Sequence, residues 1–127
     1  MIHFLRDIKS KTEHYSGHAQ SIVARVQAII ERDYSNSALS IVQIAEQLYI
    51  SSSHLSTVFK KKTGKPFSQY LKEIRLKKAS ELMKEDRLKI YEIAASVGYL
   101  NEKSFSRAFR RELGVSPQNY KRESGLL

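Results

Sequence analysis

SSHLSTVFKKKTG, residues 52–64, and EKSFSRAFRRELG, residues 102–114, read as one element written twice. Leu55, Val58 and Phe59 are the apolar positions of the first; Phe105, Ala108 and Phe109 are those of the second, with Leu113 one turn on. Spacings of three and four put each set on one face of a helix. The other faces are polar. One carries Ser53, Ser56, Thr57, Lys60 and Lys61; the other carries Glu102, Lys103, Ser106, Arg107, Arg110 and Arg111. A short helix held down by aromatics and showing hydroxyls and cations outward suits the major groove of a DNA duplex. A single such helix reads more readily as a solvated surface. The second copy, in a matching setting, favours the groove.

The setting repeats on both sides. Ile41, Ile44, Ala45 and Leu48 form an apolar face ahead of the first copy, and Ile90, Ile93, Ala94 and Val97 answer them at an offset of 49. Beyond the turn the offset is 50: Phe105, Ser106, Phe109, Arg110, Arg111, Gly114 and Tyr120 answer Leu55, Ser56, Phe59, Lys60, Lys61, Gly64 and Tyr70. The inserted residue falls in the turn, where Gly98 gives the backbone freedom. Ser40 and Gln43 have the spacing of a capping box, in which each side chain satisfies the other's backbone donor. Ser51 or Ser52, and Asn101, are caps for the outward helices. Gly64 is a stop signal for the first of them. Two short helices joined by a tight turn make a helix-turn-helix, here twice.

Working outward, Pro66 opens what reads as the longest helix, running to about Glu85. Phe67, Tyr70, Leu71, Ile74, Ala79, Leu82 and Met83 form its stripe. Some 19 residues at ~1.5 Å each span about 28 Å, close to the ~34 Å between successive major-groove faces of B-DNA. Ile22, Val23, Val26, Ile29 and Ile30 predict a helix from Ser21 to near Tyr34. Ser116–Pro117 starts a last short helix through Tyr120. Before residue 16 the signal is weak, and Ile2, Phe4, Leu5 and Ile8 suggest a short amphipathic helix or a frayed end. The expected fold is all-α: seven helices, with two helix-turn-helix subdomains joined by a long central helix. The expected divisions are a linker over 1–20, subdomains over 21–65 and 86–123, a connecting helix over 66–85, and a tail over 124–127.

Composition agrees. At 127 residues with 41% hydrophobic content the chain can bury a core. The net charge of +9 favours a polyanionic partner. There is no cysteine, which rules out disulfides and thiolate metal sites and fits a reducing, cytoplasmic setting. No apolar run approaches the ~18 residues of a membrane span, and anionic membrane binding wants a broad exposed apolar face that the pattern does not offer. His14 and His18 have the spacing of a helical metal pair, but no carboxylate flanks them as in a zincin. No glycine-rich phosphate loop, nucleophile triad or paired catalytic carboxylates stand out. The expectation is a non-enzyme with no metal and no cofactor.

These residues resemble the DNA-binding domain of the AraC/XylS family of bacterial transcription regulators, over about Ile22 to Arg122. The second half carries the more specific signature: Ile90, Ile93, Ala94, Val97, Gly98, Tyr99, Phe105, Arg107, Phe109, Arg110, Gly114, Ser116, Pro117 and Tyr120. The central helix adds Tyr70-Leu71, Arg75-Leu76 and Ala79. The resemblance implies binding to double-stranded promoter DNA, with two recognition helices in successive major grooves, and contact with RNA polymerase. It is nearest to the subgroup that ends two-component response regulators, so the chain is expected to be the DNA-binding piece of a longer regulator with an upstream effector or receiver domain, or a stand-alone member. Asp7, Asp33 and Asp86 are the only aspartates, and no strand pattern surrounds them as a receiver domain would need. Lys89 departs from the family, standing where a small hydroxyl often caps the second unit. So do Ser52, Ser53 and His54, which stand where larger readers can occur. The alternative function is a protein-interaction module that binds RNA polymerase or a regulatory domain without reading DNA.

Residue chemistry then assigns roles. Arg107 can donate two parallel hydrogen bonds to guanine O6 and N7; its competing role is an ion pair with Glu102 or Glu112. Lys103 and Ser104 lie near the helix start, where base edges are reached. Glu102 can accept from a cytosine amino group or serve as a first-turn residue favoured by the helix dipole. Ser53, Ser56 and Thr57 are the base-side positions of the first unit, with the modest selectivity of hydroxyls. His54, Lys60, Lys61, Arg110 and Arg111 are assigned to phosphates, which position without specifying. Ser51 and Asn101, as caps, present backbone amides to a phosphate. Tyr99, Phe59, Phe105 and Phe109 have the geometry of base-stacking residues only if exposed, and their spacing places them in the core.

Overall fold

The computed structural model describes the backbone of residues 11–85 and 87–125, with side chains from Ser21 onward. Seven helices are present among the described residues: α1 Lys11–Asp33, α2 Ile41–Leu48, α3 Ser52–Thr63, α4 Phe67–Leu82, α5 Ile90–Ser96, α6 Glu102–Leu113 and α7 Pro117–Gly125. No strand occurs among the described residues. The amphipathic segment expected around Ile2 to Ile8 lies outside them, as do the side chains of His14 and His18.

Two expectations need correcting. Among the described residues the longest helix is α1, with 23 residues, not the connecting helix. α4 has 16 residues and stops at Leu82, about 24 Å from end to end. Its end tightens: the Lys84 amide donates to the Glu81 carbonyl at 3.3 Å and the Glu85 amide to Leu82 at 3.1 Å, short-range bonds that close a helix instead of extending it.

The residues gather into two compact units. Among the described residues, one holds residues 11–30 together with Ser40–Phe67; the other holds Glu31–Leu39 and the residues from Ser68 to 125. In the first, α2 packs on α3, and Ile22, Val23, Val26, Ile29, Ile30, Ile44, Ala45, Leu55 and Phe59 are buried. Phe59 meets Phe67 edge to face, 6.0 Å between ring centroids. In the second, Leu76, Ala79, Met83, Ile93, Ala94, Val97, Phe105 and Phe109 form one cluster, with Tyr34, Tyr99 and Tyr120 against it. Full burial of one such side chain is worth roughly 1.5–3 kcal/mol. Leu113, expected one turn on along the same face, is 43% exposed; it is the last residue of α6, next to the Gly114 cap.

Caps set where the helices begin. Ser40 Oγ accepts from the Gln43 amide at 3.2 Å, Ser51 Oγ from the His54 amide at 3.0 Å, Asn101 Oδ1 from the Ser104 amide at 2.8 Å and Ser116 Oγ from the Asn119 amide at 3.2 Å. Lys89 has no acceptor to offer α5. Glu92 supplies the reverse half of the cap, its Oε1 accepting from the Lys89 amide at 2.8 Å. Gly64 and Gly114 close α3 and α6 in the left-handed conformation, at φ 83° and 81°.

The two helix-turn-helix turns solve the same backbone problem differently. The Ile50 amide donates to Ala45 and the Tyr99 amide to Ala94, so Ile50 and Tyr99 correspond, as do Tyr49 and Gly98. The inserted residue is therefore Leu100, after the left-handed position and not at it. Gly98 has φ +96°, and Tyr49 holds φ 60° without being glycine. A side chain in that region costs about 1–2 kcal/mol, and Tyr49 is 94% exposed, so little packing offsets it. Tyr49→Gly should therefore stabilise the protein by about 0.5–1 kcal/mol, after subtracting glycine's larger unfolded-state entropy. The urea midpoint should rise with an unchanged slope; a fall would show that the tyrosine side chain contributes more than the backbone loses.

Candidate nucleic-acid interface

α3 and α6 are the second helices of the two units, and each is fixed from beneath. Leu55 and Phe59 of α3 are fully buried, as are Phe105 and Phe109 of α6. Tyr99 and Phe105 meet edge to face at 5.4 Å. These aromatics are core and cannot stack on bases. Tyr99 is half-buried, and burial raises its phenol above the ordinary range, with Arg75 opposing.

With one face pinned, the other must point out. Every side chain assigned a DNA role is exposed: Ser51, Ser53, His54, Ser56, Thr57, Lys60 and Lys61 in the first unit, and Asn101, Glu102, Lys103, Ser104, Arg107, Arg110 and Arg111 in the second. Ser106 is half-buried. The cap bonds at Ser51 and Asn101 occupy the third amide of each helix, and the first two amides of each have no partner within the helix. Thr57 is less free than its type suggests: its hydroxyl donates to the Ser53 carbonyl at 3.0 Å.

The competing role for Arg107 is not realised. Glu112 accepts from Gln69 at 3.4 Å and pairs with Lys72 at 3.7 Å. Neither Arg107 nor Glu102 has an ion-pair or side-chain hydrogen-bond partner among the described residues. Cations concentrate at the helix ends, Lys60, Lys61 and Lys62 in the last turn of α3 and Arg110 and Arg111 in that of α6, where they also complement the negative end of the dipole. Glu102 sits in the first turn of α6, so the dipole role remains open to it beside base contact.

Sequence reasoning passed over two exposed residues. Lys62 continues the lysine run of α3. Leu100 is 86% exposed, directly ahead of the Asn101 cap. The change of repeat offset from 49 to 50 was the available signal for Leu100. Among the described residues, no three histidine, aspartate or glutamate side chains gather to hold a metal ion. No helix among them is long and apolar enough to cross a membrane.

A helix-turn-helix domain model matches residues 44–123. The chain is 32% identical over 114 residues to the Msm operon regulatory protein of Streptococcus mutans, an alignment covering 90% of this chain and 41% of that protein. It thus spans about two fifths of the length of that relative. The C-terminal domain of AraT, a response regulator from Geobacillus stearothermophilus, superposes with TM-score 0.78 at 40% identity, over 80% of this chain and 84% of that one. The DNA-binding domain of AdpA, a global transcriptional factor in complex with a target DNA, superposes with TM-score 0.75 at 25% identity, over 80% of this chain and 90% of that one. A doubled helix-turn-helix, matched by sequence and by fold, places this chain in the AraC family of transcription regulators.

Proposed function

We propose that the domain binds double-stranded promoter DNA with sequence preference, α3 and α6 each entering a major groove of the same duplex, in successive turns. One observation carries this: both units expose polar and cationic side chains on the helix whose opposite face is locked by buried aromatics. The net charge of +9 supplies the attraction to phosphate. The likeness to the AdpA domain, a structure with target DNA, supports it. In this reading residues 21–65 and 86–123 are the two DNA-contacting subdomains, with 66–85 between them. Ser53, Ser56, Thr57, Glu102, Lys103, Ser104 and Arg107 face base edges. Ser51, His54, Lys60, Lys61, Asn101, Arg110 and Arg111 face phosphates. The domain is the DNA-binding end of a longer cytoplasmic regulator that recruits or positions RNA polymerase, and it catalyses nothing. The likeness to a response-regulator domain supports an upstream receiver as its controller.

The test separates phosphate from base contacts. Lys60→Ala should weaken binding to every duplex alike and lower the slope of log affinity against log salt by about 0.9. Footprinting should show two protected zones about 10 base pairs apart. A sequence-selective loss with an unaltered slope would reassign Lys60 to a base. A salt-independent association that survives removal of the outward cations would point to a protein partner instead.

A further inference from the structure

The two outward faces differ in what they have left to give. On α3 the base-side groups are hydroxyls, which can rotate to donate or accept and so discriminate weakly. One is already committed: the Thr57 hydroxyl hydrogen is on the Ser53 carbonyl at 3.0 Å, leaving only acceptor capacity. α3 carries no acidic side chain to accept from a cytosine, and its cations are three consecutive lysines in the last turn. An ammonium is a point charge suited to phosphate, not a fixed fork.

α6 is the converse. Arg107 offers a planar fork, Glu102 an acceptor pair and Lys103 a donor. All three are exposed, and none has an ion-pair or side-chain hydrogen-bond partner among the described residues. Glu112, one of the two carboxylates weighed as a partner for Arg107, is held by Gln69 and Lys72 of α4. Leu100, 86% exposed just before the helix cap, adds an apolar group of the kind that meets a thymine methyl, and the first turn has no counterpart. Resting on the DNA-binding reading, we infer that the operator is asymmetric in information: the half facing α6 is read base by base, and the half facing α3 is an anchor with little base preference. Specificity in this protein therefore lives in its second helix-turn-helix.

Site selection from a randomised duplex pool tests this with the intact chain. The wild type should yield one strongly preferred block and, about one helical turn away, a block of weak preference. Arg107→Ala should erase preference at one base pair of the strong block, a loss of about 5- to 100-fold in discrimination. Arg107→Lys should lose the same preference while keeping the salt slope, which a merely structural or phosphate role would not do. The triple variant Ser53→Ala, Ser56→Ala, Thr57→Ala should change discrimination at any position by less than about threefold, since rotatable hydroxyls are weak discriminators. All replaced side chains are exposed, and melting curves show whether each variant folds. Two blocks of equal strength, or a triple variant that erases one, overturns the asymmetry and leaves DNA binding standing. A pool with no enrichment at any salt, under conditions where the wild type is folded, overturns the DNA-binding reading and this inference with it.

Discussion

Gly98→Ala is expected to destabilise the second unit by about 2–5 kcal/mol, from left-handed strain and overpacking together. The position is hostile to a side chain on two independent counts. Its φ is +96°, and a Cβ built there would lie 2.5 Å from the Tyr34 carbonyl oxygen and 2.9 Å from Arg75 Nε. Neither neighbour can yield cheaply. Arg75 Nε donates to that same Tyr34 carbonyl at 2.9 Å, and Nη2 donates to the Asn36 carbonyl at 2.8 Å. The guanidinium is half-buried, and burial pulls its pKa down, so it depends on those carbonyls in place of water. Moving it leaves a charge short of partners, a costly outcome. Chemical denaturation of the wild type and variant measures the loss. Coupling identifies the cause: in an Arg75→Ala background the alanine should cost less, because one of its two obstacles has gone. A cost below about 1 kcal/mol in the wild-type background would mean that the turn relaxes freely and that the Arg75 latch is not what the glycine accommodates.

That latch also marks the limit of what the sequence could tell. The two helix-turn-helix units were legible because apolar residues recur at helical spacing and because Ser40, Ser51, Asn101 and Ser116 announce helix starts with side chains whose chemistry is local. Exposure of the proposed DNA-facing residues was legible for the same reason: once Leu55, Phe59, Phe105 and Phe109 are buried, the opposite face is determined. Gly98 does give the turn its backbone freedom, at φ +96°, but the residue inserted there is Leu100, and the glycine also leaves room for the Tyr34 carbonyl and for Arg75, whose guanidinium bonds Tyr34 and Asn36. The Arg75 bonds join residues some 40 positions apart in the chain, and no local pattern encodes them. Lys89 stands where a capping hydroxyl is expected, and Glu92 closes the turn from the other direction. The freedom of Arg107 was equally hidden. Whether Glu112 pairs with it or with α4 depends on which way two helices face, a tertiary property. The length of α1 escaped because its first half lacks the apolar periodicity that identified its second half.

Phe109→Ala should cost about 3–5 kcal/mol, as large-to-small changes at fully buried aromatics do, against a total of about 5–15 kcal/mol for an ordinary domain. Phe109 has no exposed surface and stands between two other rings, 5.6 Å from Phe105 and 5.5 Å from Tyr120, the latter edge to face at 78°. Tyr120 belongs to α7, so Phe109 links α6 to the helix that follows it. A second tie on that side, Lys121 Nζ to the Leu88 carbonyl at 2.6 Å, does not replace the ring. Amide exchange should therefore accelerate in α6 and α7 together, and the exposed face of α6, with Arg107 on it, should lose its fixed orientation. DNA affinity should fall with no phosphate contact removed, and the salt slope should change little for the folded fraction, since every cation is still present. Phe109→Leu keeps most of the volume and should cost clearly less, with α7 still protected. If Phe109→Ala costs under about 1.5 kcal/mol, the site collapses more easily than a ring-packed core allows, and the orientation of α6 must come from its caps and not from the aromatics beneath it.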